Sequence, residues 1–512
     1  MTTSQIVILV AIVIYLVGMV IIGALFTKKN KSSDDFYLGG RKLGPFVTAM
    51  SAEASDMSGW LLMGLPAVAL MCGLPEATWT AVGLAIGTYI NWLIVAKRLR
   101  VYTQRVNAFT LPDFFSKRFG DKKHIISTIA AIIIVVFFIP YTASGFAACG
   151  KLFASLFGME YVTAMILSAI VIMVYCTLGG FLAASTTDFI QSIVMTIALF
   201  IVVGLGEGVL HGFGNVFANV ASLDGYLNVF KGFDVASGTT MSYGALPVAS
   251  TLAWGLGYFG MPHILLRFMA IEDENKLKIS RRVASIWVVI SMAVAVLIGV
   301  VGYGLMKEGI VPTYESASAA ETIIVDISKF LSKFGFIPAF TAGIILAGIL
   351  ASTMSTADSQ LLAAASSISQ NLVQETFGVK LSEKKSVWLA RISVIVISII
   401  AIFLALNPES SVFDIVSFAW AGFGAAFGPV VLSALFWKRT TLCGAFAGML
   451  SGGATVFFWK FVIRANFKGT VLDFYELLPA FIIACIAIIV VSFLTKAPEK
   501  EITDVFDEVK SK

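Results

Sequence analysis

The segment Ser51-Ala-Glu-Ala-Ser-Asp-Met-Ser-Gly-Trp60 decides the fold, because it places two carboxylates and three hydroxyls inside a long apolar run. This run continues to Leu70 through Gly64 and Pro66, two residues that are expected to interrupt the helix there. Ionisable side chains at membrane depth are costly and commonly functional. An interrupted, polar and acidic helix within a membrane is typical of the cation and substrate sites of transporters.

The composition is that of a polytopic membrane protein. Of the 512 residues, 58% are hydrophobic and only 13% are charged, and most apolar runs have the length of a membrane-spanning helix. We therefore expect an all-α fold that forms one transmembrane domain over residues 1–512. Thirteen spans are predicted, at roughly 5–27, 46–72, 77–96, 124–148, 159–178, 188–210, 246–267, 283–306, 336–365, 387–406, 411–436, 443–462 and 473–494.

The basic residues predict the orientation of the chain. One alternating set of loops holds about 27 Lys and Arg residues and the opposite set about 7, and the richer side is cytoplasmic. The richer set includes Lys28-Lys29-Asn-Lys31, Arg267, Arg281-Arg282 and the charged tail at 496–512. The N-terminus is then expected outside and the C-terminus in the cytoplasm, as an odd number of spans requires.

Several function classes are disfavoured. The chain has no GxxxxGK[ST] phosphate loop, and its GxGxxG match at Gly255-Leu-Gly-Tyr-Phe-Gly260 lies inside an apolar span instead of between a strand and a helix. ATP is therefore not expected as a partner, and an ion gradient is the expected energy source. No nucleophile–base set or metal cluster appears at membrane depth, so no enzyme or cofactor is expected. The net charge of +5 gives no indication of a nucleic-acid partner.

A second interrupted span is predicted at Leu252 to His263, where three glycines precede Pro262. Pro66 and Pro262 lie five spans apart, and interrupted helices at corresponding positions are typical of transporters built from inverted repeats. Glycine and proline are, however, common in membrane helices generally. Trp254 and Tyr258 stand one turn apart beside this interruption, where they are predicted either to line a substrate pocket or to pack in the core.

A row of hydroxyls forms the next candidate site. Ser352, Ser355, Thr356 and Ser359 share one helical face. Their oxygens suit Na⁺, a hard cation, whereas the alternative is that they only mediate helix packing in lipid. Asp188 stands at the predicted start of the sixth span, so it is expected either to cap that helix or to lie in an ion path.

With these residues identified, the chain resembles the sodium:solute symporter family, and in particular its bacterial proline-transporting branch, over nearly its whole length. The resemblance implies Na⁺-coupled uptake of L-proline in the bacterial plasma membrane. The matching segments are Tyr37–Phe46, Ala54–Pro66, Gly179–Ala183 with Thr187-Asp188, Trp254–Gly260, Met354–Thr356 and Ala419–Pro429.

The resemblance also implies the internal organisation. It implies a LeuT-type core of two inverted five-helix repeats, the first at 46–210 and the second at 246–436. The spans at 5–27 and 443–494 would then be peripheral helices, and 496–512 a cytoplasmic tail.

The resemblance further implies a set of Na⁺ ligands. These are backbone oxygens of Ala54 and Met57 together with Ser352, Ser355 and Thr356. Ser352 stands where these symporters often have alanine. The resemblance therefore implies that Ser352 contributes its backbone carbonyl to Na⁺ and that its hydroxyl has no role as a ligand.

By the same likeness, Asp56 and Arg41 are tied to sodium coupling. Aromatic faces would receive the proline ring, and freed backbone amides its carboxylate. The implied substrate residues are Trp60, Gly64, Tyr141, Trp254, Tyr258 and Pro262.

Three residues depart from the family pattern. Glu53 replaces a glycine, Asp358 replaces a serine and Met261 replaces a glutamine beside Pro262. If Glu53 and Asp358 approach each other, they are expected to share a proton and to alter ion coupling, since two adjacent carboxylates resist joint ionisation. The alternative is that both side chains face water or pair with basic loop residues.

Two alternative functions remain open. The first is Na⁺- or H⁺-coupled transport of another small carboxylate or amino acid, such as pantothenate, which the residue at Met261 leaves possible. The second is a solute sensor built on a symporter-like membrane domain. A sensor would bind its solute without accumulating it in vesicles.

Overall fold

The computed structural model describes residues 1–27, 37–178 and 180–511, and within these ranges the chain is mostly helical. The predicted landmark at Gly179 and the basic residues Lys28, Lys29 and Lys31 lie outside the described residues. The α-helices are α1 Thr3–Thr27, α2 Pro45–Ala54, α3 Leu65–Cys72, α4 Leu74–Ile90, α5 Ala96–Arg105, α6 Leu111–Phe119, α7 Ile125–Phe157, α8 Tyr161–Leu178, α9 Phe181–Val209, α10 Phe213–Ala221, α11 Ala245–Leu252, α12 Pro262–Ala270, α13 Leu277–Lys307, α14 Ala317–Ala320, α15 Ile323–Leu331, α16 Phe336–Ser366, α17 Glu383–Leu404, α18 Val412–Phe436, α19 Leu442–Phe458, α20 Leu477–Leu494 and α21 Lys500–Lys510.

Among the described residues, ten helices are long and apolar enough to cross a membrane. The shorter apolar helices Trp60–Cys72 and Tyr161–Thr177 coincide with two further predicted spans. The remaining predicted span, at 246–267, is divided between α11, a 3₁₀ segment and α12. The predicted fold class is therefore confirmed, whereas the count of thirteen spans stays a prediction.

The first interruption lies at 55–58, between α2 and a π-helical turn at Trp60–Gly64. The expectation that Gly64 and Pro66 would break the helix is wrong. The N–H of Leu65 bonds to the carbonyl of Trp60, five residues back, and Pro66 stands in the first turn of α3. The wide π turn accommodates the proline, whose ring would clash with the carbonyl of a regular helical turn.

The second interruption lies where the glycines predicted it. Residues Ala253–Gly260 form a 3₁₀ segment, Met261 is extended with φ −75° and ψ 109°, and Pro262 begins α12. Gly255 has a packing role, because a Cβ atom there would lie 2.2 Å from the carbonyl oxygen of Gly83 on α4. The tightly wound segment thus contacts a neighbouring helix backbone directly.

Outside the helices, β1 Lys231–Asp234 and β2 Thr239–Ser242 form a short antiparallel hairpin, with Lys231 opposite Ser242. Gly238 precedes β2 with φ +68°, a conformation that glycine adopts readily. The hairpin belongs to the polar loop between α9 and α11 and contacts the end of α3, where the N–H of Val235 bonds to the backbone oxygen of Met71 at 2.9 Å.

The central helices bring the two interruptions together. Helix α16 packs against α1, α7 and α9, and α9 also packs against α2. The 3₁₀ segment Ala253–Gly260 is held between α4 and α18. Both interruptions therefore lie inside the helical bundle, where their polar groups are removed from lipid.

Candidate functional site

Asp56 lies in the first interruption and is the meeting point of three aromatic side chains. The hydroxyl of Tyr258 donates a hydrogen bond to Oδ2 of Asp56 at 2.7 Å. The hydroxyl of Tyr141 and the indole Nε1–H of Trp60 both donate to the backbone oxygen of Asp56, at 3.1 Å and 3.0 Å. All four residues are buried. Asp56 thus joins the two interrupted helices to α7.

Aromatic rings surround this junction. The ring centroid of Trp254 lies 6.0 Å from that of Trp60 and 5.2 Å from that of Phe413. The indole of Trp420 donates to the backbone oxygen of Trp254 at 2.7 Å. A Cβ atom on Gly64 would lie 3.1 Å from Cβ of Phe413, so this glycine admits the Phe413 side chain.

Pro262 completes the set of predicted substrate residues. It begins α12, and the ring of the next residue, His263, lies 6.4 Å from the ring of Tyr141. The six predicted substrate residues are therefore grouped around the two interruptions. Flat apolar faces beside unwound backbone can hold an apolar ring and orient a charged group attached to it.

Oxygen atoms converge where α2 ends. The backbone oxygen of Ala54 accepts from the hydroxyl of Ser355 at 2.8 Å and from the hydroxyl of Thr356 at 3.5 Å. Ser355 also donates to the backbone oxygen of Ser352 at 3.2 Å, whereas the Ser352 hydroxyl bonds back to Ile349 at 2.8 Å. A hard cation can bind such a group of neutral oxygens once the hydroxyl hydrogens turn away from it.

Met57 lies in the same interruption as Asp56. Its N–H bonds to the backbone oxygen of Glu53 at 2.9 Å, and its side chain is buried. Its position one turn beyond Ala54 puts it at the same end of α2 as the converging oxygens.

Asp188 is the centre of a second polar cluster, which includes an arginine. Its Oδ2 accepts from the hydroxyl of Ser51 at 2.7 Å and from the guanidinium of Arg267 at 3.0 Å. Arg267 also donates to Ser51 at 3.0 Å, to the backbone oxygen of His263 at 2.9 Å and to Ser359. The expectation that Asp188 caps a helix is wrong, because α9 begins at Phe181 and the carboxylate points to another helix.

Arg267 also corrects the sequence analysis. It was assigned to a basic loop, yet it lies on α12 with only 1% of its surface exposed. An apolar flank on both sides, Ile264-Leu-Leu before it and Phe268-Met-Ala after it, was the signal that it belongs to the bundle.

The acids Glu53 and Asp358 lie in different clusters. Oε1 of Glu53 accepts from the indole of Trp92 at 2.8 Å. Oδ1 of Asp358 accepts from Ser359 at 3.1 Å, and Ser359 in turn contacts Arg267. The hypothesis of a proton shared by Glu53 and Asp358 is therefore not supported, and the alternative of exposure to water or pairing with loop residues fails as well, because both acids are buried.

Arg41 lies apart from the Asp56 junction. Its guanidinium donates to backbone oxygens of Met269 at 2.7 Å and Ala108 at 2.6 Å, and to that of Thr103 at 3.3 Å. Arg41 thereby ties the end of α12 to the segment between α5 and α6. An influence of Arg41 on ion coupling would act through the position of α12.

Phe413, Trp420 and Trp92 were missed as members of the site. Trp420 stands in the quoted segment Ala419–Pro429, but nothing in the sequence assigns its indole to the backbone of Trp254. Their roles depend on contacts between helices that are far apart in the sequence.

The Gly257→Ala substitution is expected to abolish transport, because the added Cβ would lie 1.9 Å from Nε1 of Trp420 and displace the 3₁₀ segment. Uptake into vesicles and the amount of folded protein after extraction would measure the effect. Gly204→Ala on α9 is the matched control, since nothing lies within 4 Å of its added Cβ. Equal uptake by the two variants would show that the segment tolerates displacement.

Two interrupted helices that meet at buried oxygens and aromatic rings define a membrane transporter, not an enzyme. The chain belongs to the sodium:solute symporter family, whose model matches residues 36–452.

Three bacterial relatives cover almost the whole chain. The sodium/proline symporter of Haemophilus influenzae is 45% identical over 506 residues, covering 98% of this chain and 97% of the relative. The sodium/proline symporter of Escherichia coli is 42% identical, with coverages of 98% and 95%. The osmoregulated proline transporter OpuE of Bacillus subtilis is 42% identical, with coverages of 96% and 96%. The chain is thus a multi-span protein of the bacterial plasma membrane.

Solved structures show the same fold. A Na⁺-coupled sialic acid symporter in a substrate-bound outward-open state matches with a TM-score of 0.77 at 16% identity, covering 96% of this chain and 99% of its own. MhsT in complex with L-phenylalanine matches with a TM-score of 0.51 at 13% identity, with coverages of 88% and 98%. The core is therefore the LeuT-type arrangement, whereas the repeat boundaries 46–210 and 246–436 stay predictions.

Proposed function

We propose that this protein takes up L-proline together with Na⁺ by alternating access. The observation that carries the proposal is the contact between the end of α2 and the hydroxyls of α16, directly beside the aromatic junction at Asp56. A cation bound there would hold α2 to α16 and so favour one arrangement of the interrupted helix over others. The relatives named as proline transporters support the choice of substrate.

The proposed Na⁺ site uses neutral oxygens. The ligands are the backbone oxygens of Ala54 and Met57, with Ser355, Thr356 and a carbonyl of Ser352. The Ser352 hydroxyl is not needed, because it is bonded to Ile349. Asp56 acts next to the site, where its carboxylate orients Tyr258 and balances the charge of the cation.

The proposed substrate site lies among Trp60, Gly64, Tyr141, Trp254, Tyr258 and Pro262. The pyrrolidine ring would lie against the faces of Trp60 and Trp254, and the carboxylate would meet N–H groups freed at the unwound segments. Met261 is buried beside Pro262, and its thioether offers no hydrogen-bond donor. Because of Met261, the alternative substrate to test against proline is another small carboxylate or amino acid.

The proposed orientation has the N-terminus outside and the C-terminus in the cytoplasm. The basic loops support it. The burial of Arg267 removes one residue from that count and leaves the excess intact.

Uptake of radiolabelled L-proline into proteoliposomes tests the function. A Na⁺ gradient is imposed at fixed pH, a K⁺ gradient of equal size is the control, and pantothenate and other amino acids are offered as competitors. We expect accumulation that requires Na⁺ and is blocked by excess unlabelled proline only. Accumulation of another solute would replace the substrate, and binding without accumulation would favour the sensor.

A further inference from the structure

Glu53 and Asp56 form a pair of buried acids without a basic partner. They lie three residues apart at the end of α2, and both side chains are fully buried. In the described part of the chain, no ion pair includes either carboxyl group. The buried guanidinium of Arg267 is bonded to Asp188 and Ser51 instead. Because an uncompensated buried charge is strongly destabilising, this pair of acids calls for a cation.

Helix α4 and the 3₁₀ segment enclose this pair. The hydroxyl of Tyr258 donates to Asp56 and lies beside Thr88, and its backbone oxygen accepts from Nδ2 of Asn91 at 3.0 Å. The next residue on the same helix, Trp92, donates to Oε1 of Glu53. Thr88 and Asn91 lie one turn apart, so their side chains share a face of the helix. The two acids are therefore held against the polar end of α4.

Four buried side-chain oxygens around the pair have no hydrogen-bond partner in the part of the chain that the structure describes. They are Oε2 of Glu53, Oδ1 of Asp56, Oγ1 of Thr88 and Oδ1 of Asn91. All four residues are 0% exposed. The amide of Asn91 cannot be reversed without losing its bond to Tyr258, so its free atom is an acceptor. Since nearly all buried polar atoms in proteins have a partner, four free oxygens gathered here indicate a bound ligand.

The donor set fits a hard monovalent cation. Carboxylate, amide and hydroxyl oxygens are the ligands that hard cations prefer. The Na⁺ site proposed at Ala54 supplies only neutral oxygens, so its ion balances one of the two carboxylates and leaves the other. One further Na⁺ brings the sum of charges to zero, and a zwitterionic substrate adds no net charge. A divalent cation would leave an excess positive charge in the bundle.

We propose a second Na⁺ site, whose ligands are the four free oxygens of Glu53, Asp56, Thr88 and Asn91. The first Na⁺ holds the end of α2 to α16, and the second holds it to α4 and, through Tyr258, to the other interrupted helix. Glu53 stands where the family pattern has glycine, so this carboxylate sets the number of coupled ions in this chain. The protein then moves two Na⁺ with each substrate molecule.

The limit of proline accumulation in proteoliposomes measures the number of coupled ions. The membrane potential is held at zero with valinomycin and equal K⁺ on both sides, and a Na⁺ gradient of about tenfold is imposed. Each coupled ion contributes the full free energy of its gradient, so one Na⁺ supports about tenfold accumulation and two support about 100-fold. We expect about 100-fold for the wild type and about tenfold for Glu53→Gln, which keeps an oxygen for the Trp92 indole and removes the charge.

Glu501→Gln is the matched control, because it makes the same substitution at an exposed acid on α21 and should keep the wild-type limit. A wild-type limit of about tenfold, or equal limits in the wild type and Glu53→Gln, would overturn the second site. A wild-type limit that rises when a proton gradient is added would assign the acids to protons and overturn it as well. The inference rests on the proposed function, which would itself be refuted if the wild type accumulated no proline under a Na⁺ gradient.

Binding of radioactive Na⁺ to the detergent-purified protein needs no transport and separates the two failures. We expect two Na⁺ per wild-type molecule and one per Glu53→Gln molecule. Ser355→Ala/Thr356→Ala removes the other ion, so its combination with Glu53→Gln should bind none. One Na⁺ in the wild type, or two in Glu53→Gln, refutes the second site whatever the protein transports.

Discussion

Arg267→Met is expected to destabilise the protein severely and to abolish uptake. The substitution leaves the fully buried carboxylate of Asp188 without its cation and removes bonds to Ser51 and His263. Removing one partner of a buried ion pair typically costs about 3–5 kcal/mol. The loss is large because the same side chain fixes α12, the part of the second interrupted helix that follows the break, to both α2 and α9.

Thermal unfolding of the detergent-purified protein measures this effect, together with uptake. Arg282→Met, an exposed arginine of α13, is the matched control and should leave the unfolding temperature unchanged within error. The double variant Arg267→Met/Asp188→Leu removes both charges and is expected to recover part of the stability without recovering uptake. If Arg267→Met were as stable as Arg282→Met, the ion pair would not hold α12.

The double substitution Ser355→Ala/Thr356→Ala is expected to raise the Na⁺ concentration needed for half-maximal uptake by about 10- to 100-fold. This range corresponds to the loss of one or two ligands that together contribute about 1–3 kcal/mol to the binding free energy of Na⁺. Both hydroxyls reach the backbone oxygen of Ala54, so their loss removes two of the oxygens gathered at the end of α2. Proline affinity at saturating Na⁺ should change much less.

Ser352→Ala is the matched control for this pair, because the Ser352 hydroxyl bonds to Ile349 within its own helix. It should leave the Na⁺ dependence within about twofold of wild type, an energy below 0.5 kcal/mol. The measurement is the initial rate of uptake as a function of Na⁺ at constant ionic strength. A Ser352→Ala effect as large as that of the double variant would contradict the proposed ligand set.

Much of the helical framework was predictable. The thirteen predicted spans coincide with helices or interrupted helices, because a run of apolar residues in lipid satisfies its backbone hydrogen bonds within itself. The second interruption was also predictable, since Gly255 and Pro262 act on their own backbone. The first was misplaced, because a π turn lets the helix continue through Pro66.

The pairing of the polar groups was much less predictable. Asp188 was recognised as a candidate, yet its partner Arg267 was assigned to a loop, 79 residues away in the sequence. The hypothesis of a proton shared by Glu53 and Asp358 depended on their approaching each other, but Glu53 bonds to Trp92 and Asp358 faces Tyr175. Which polar groups meet depends on how each helix is rotated about its own axis. The helices here are strongly apolar on all sides, so their sequences hardly specify that rotation.

The sequence by itself determined that this is a multi-span helical membrane protein with two interrupted helices, hydroxyl oxygens on one helical face and intramembrane acids. Those properties follow from composition, periodicity and local backbone chemistry, which act over a few turns. Only the tertiary structure decided which groups share a cluster: Asp56 with three aromatic side chains, Ala54 with the hydroxyls of α16, and Arg267 with Asp188. Buried polar groups must find partners wherever helix packing brings them, and that packing joins positions hundreds of residues apart.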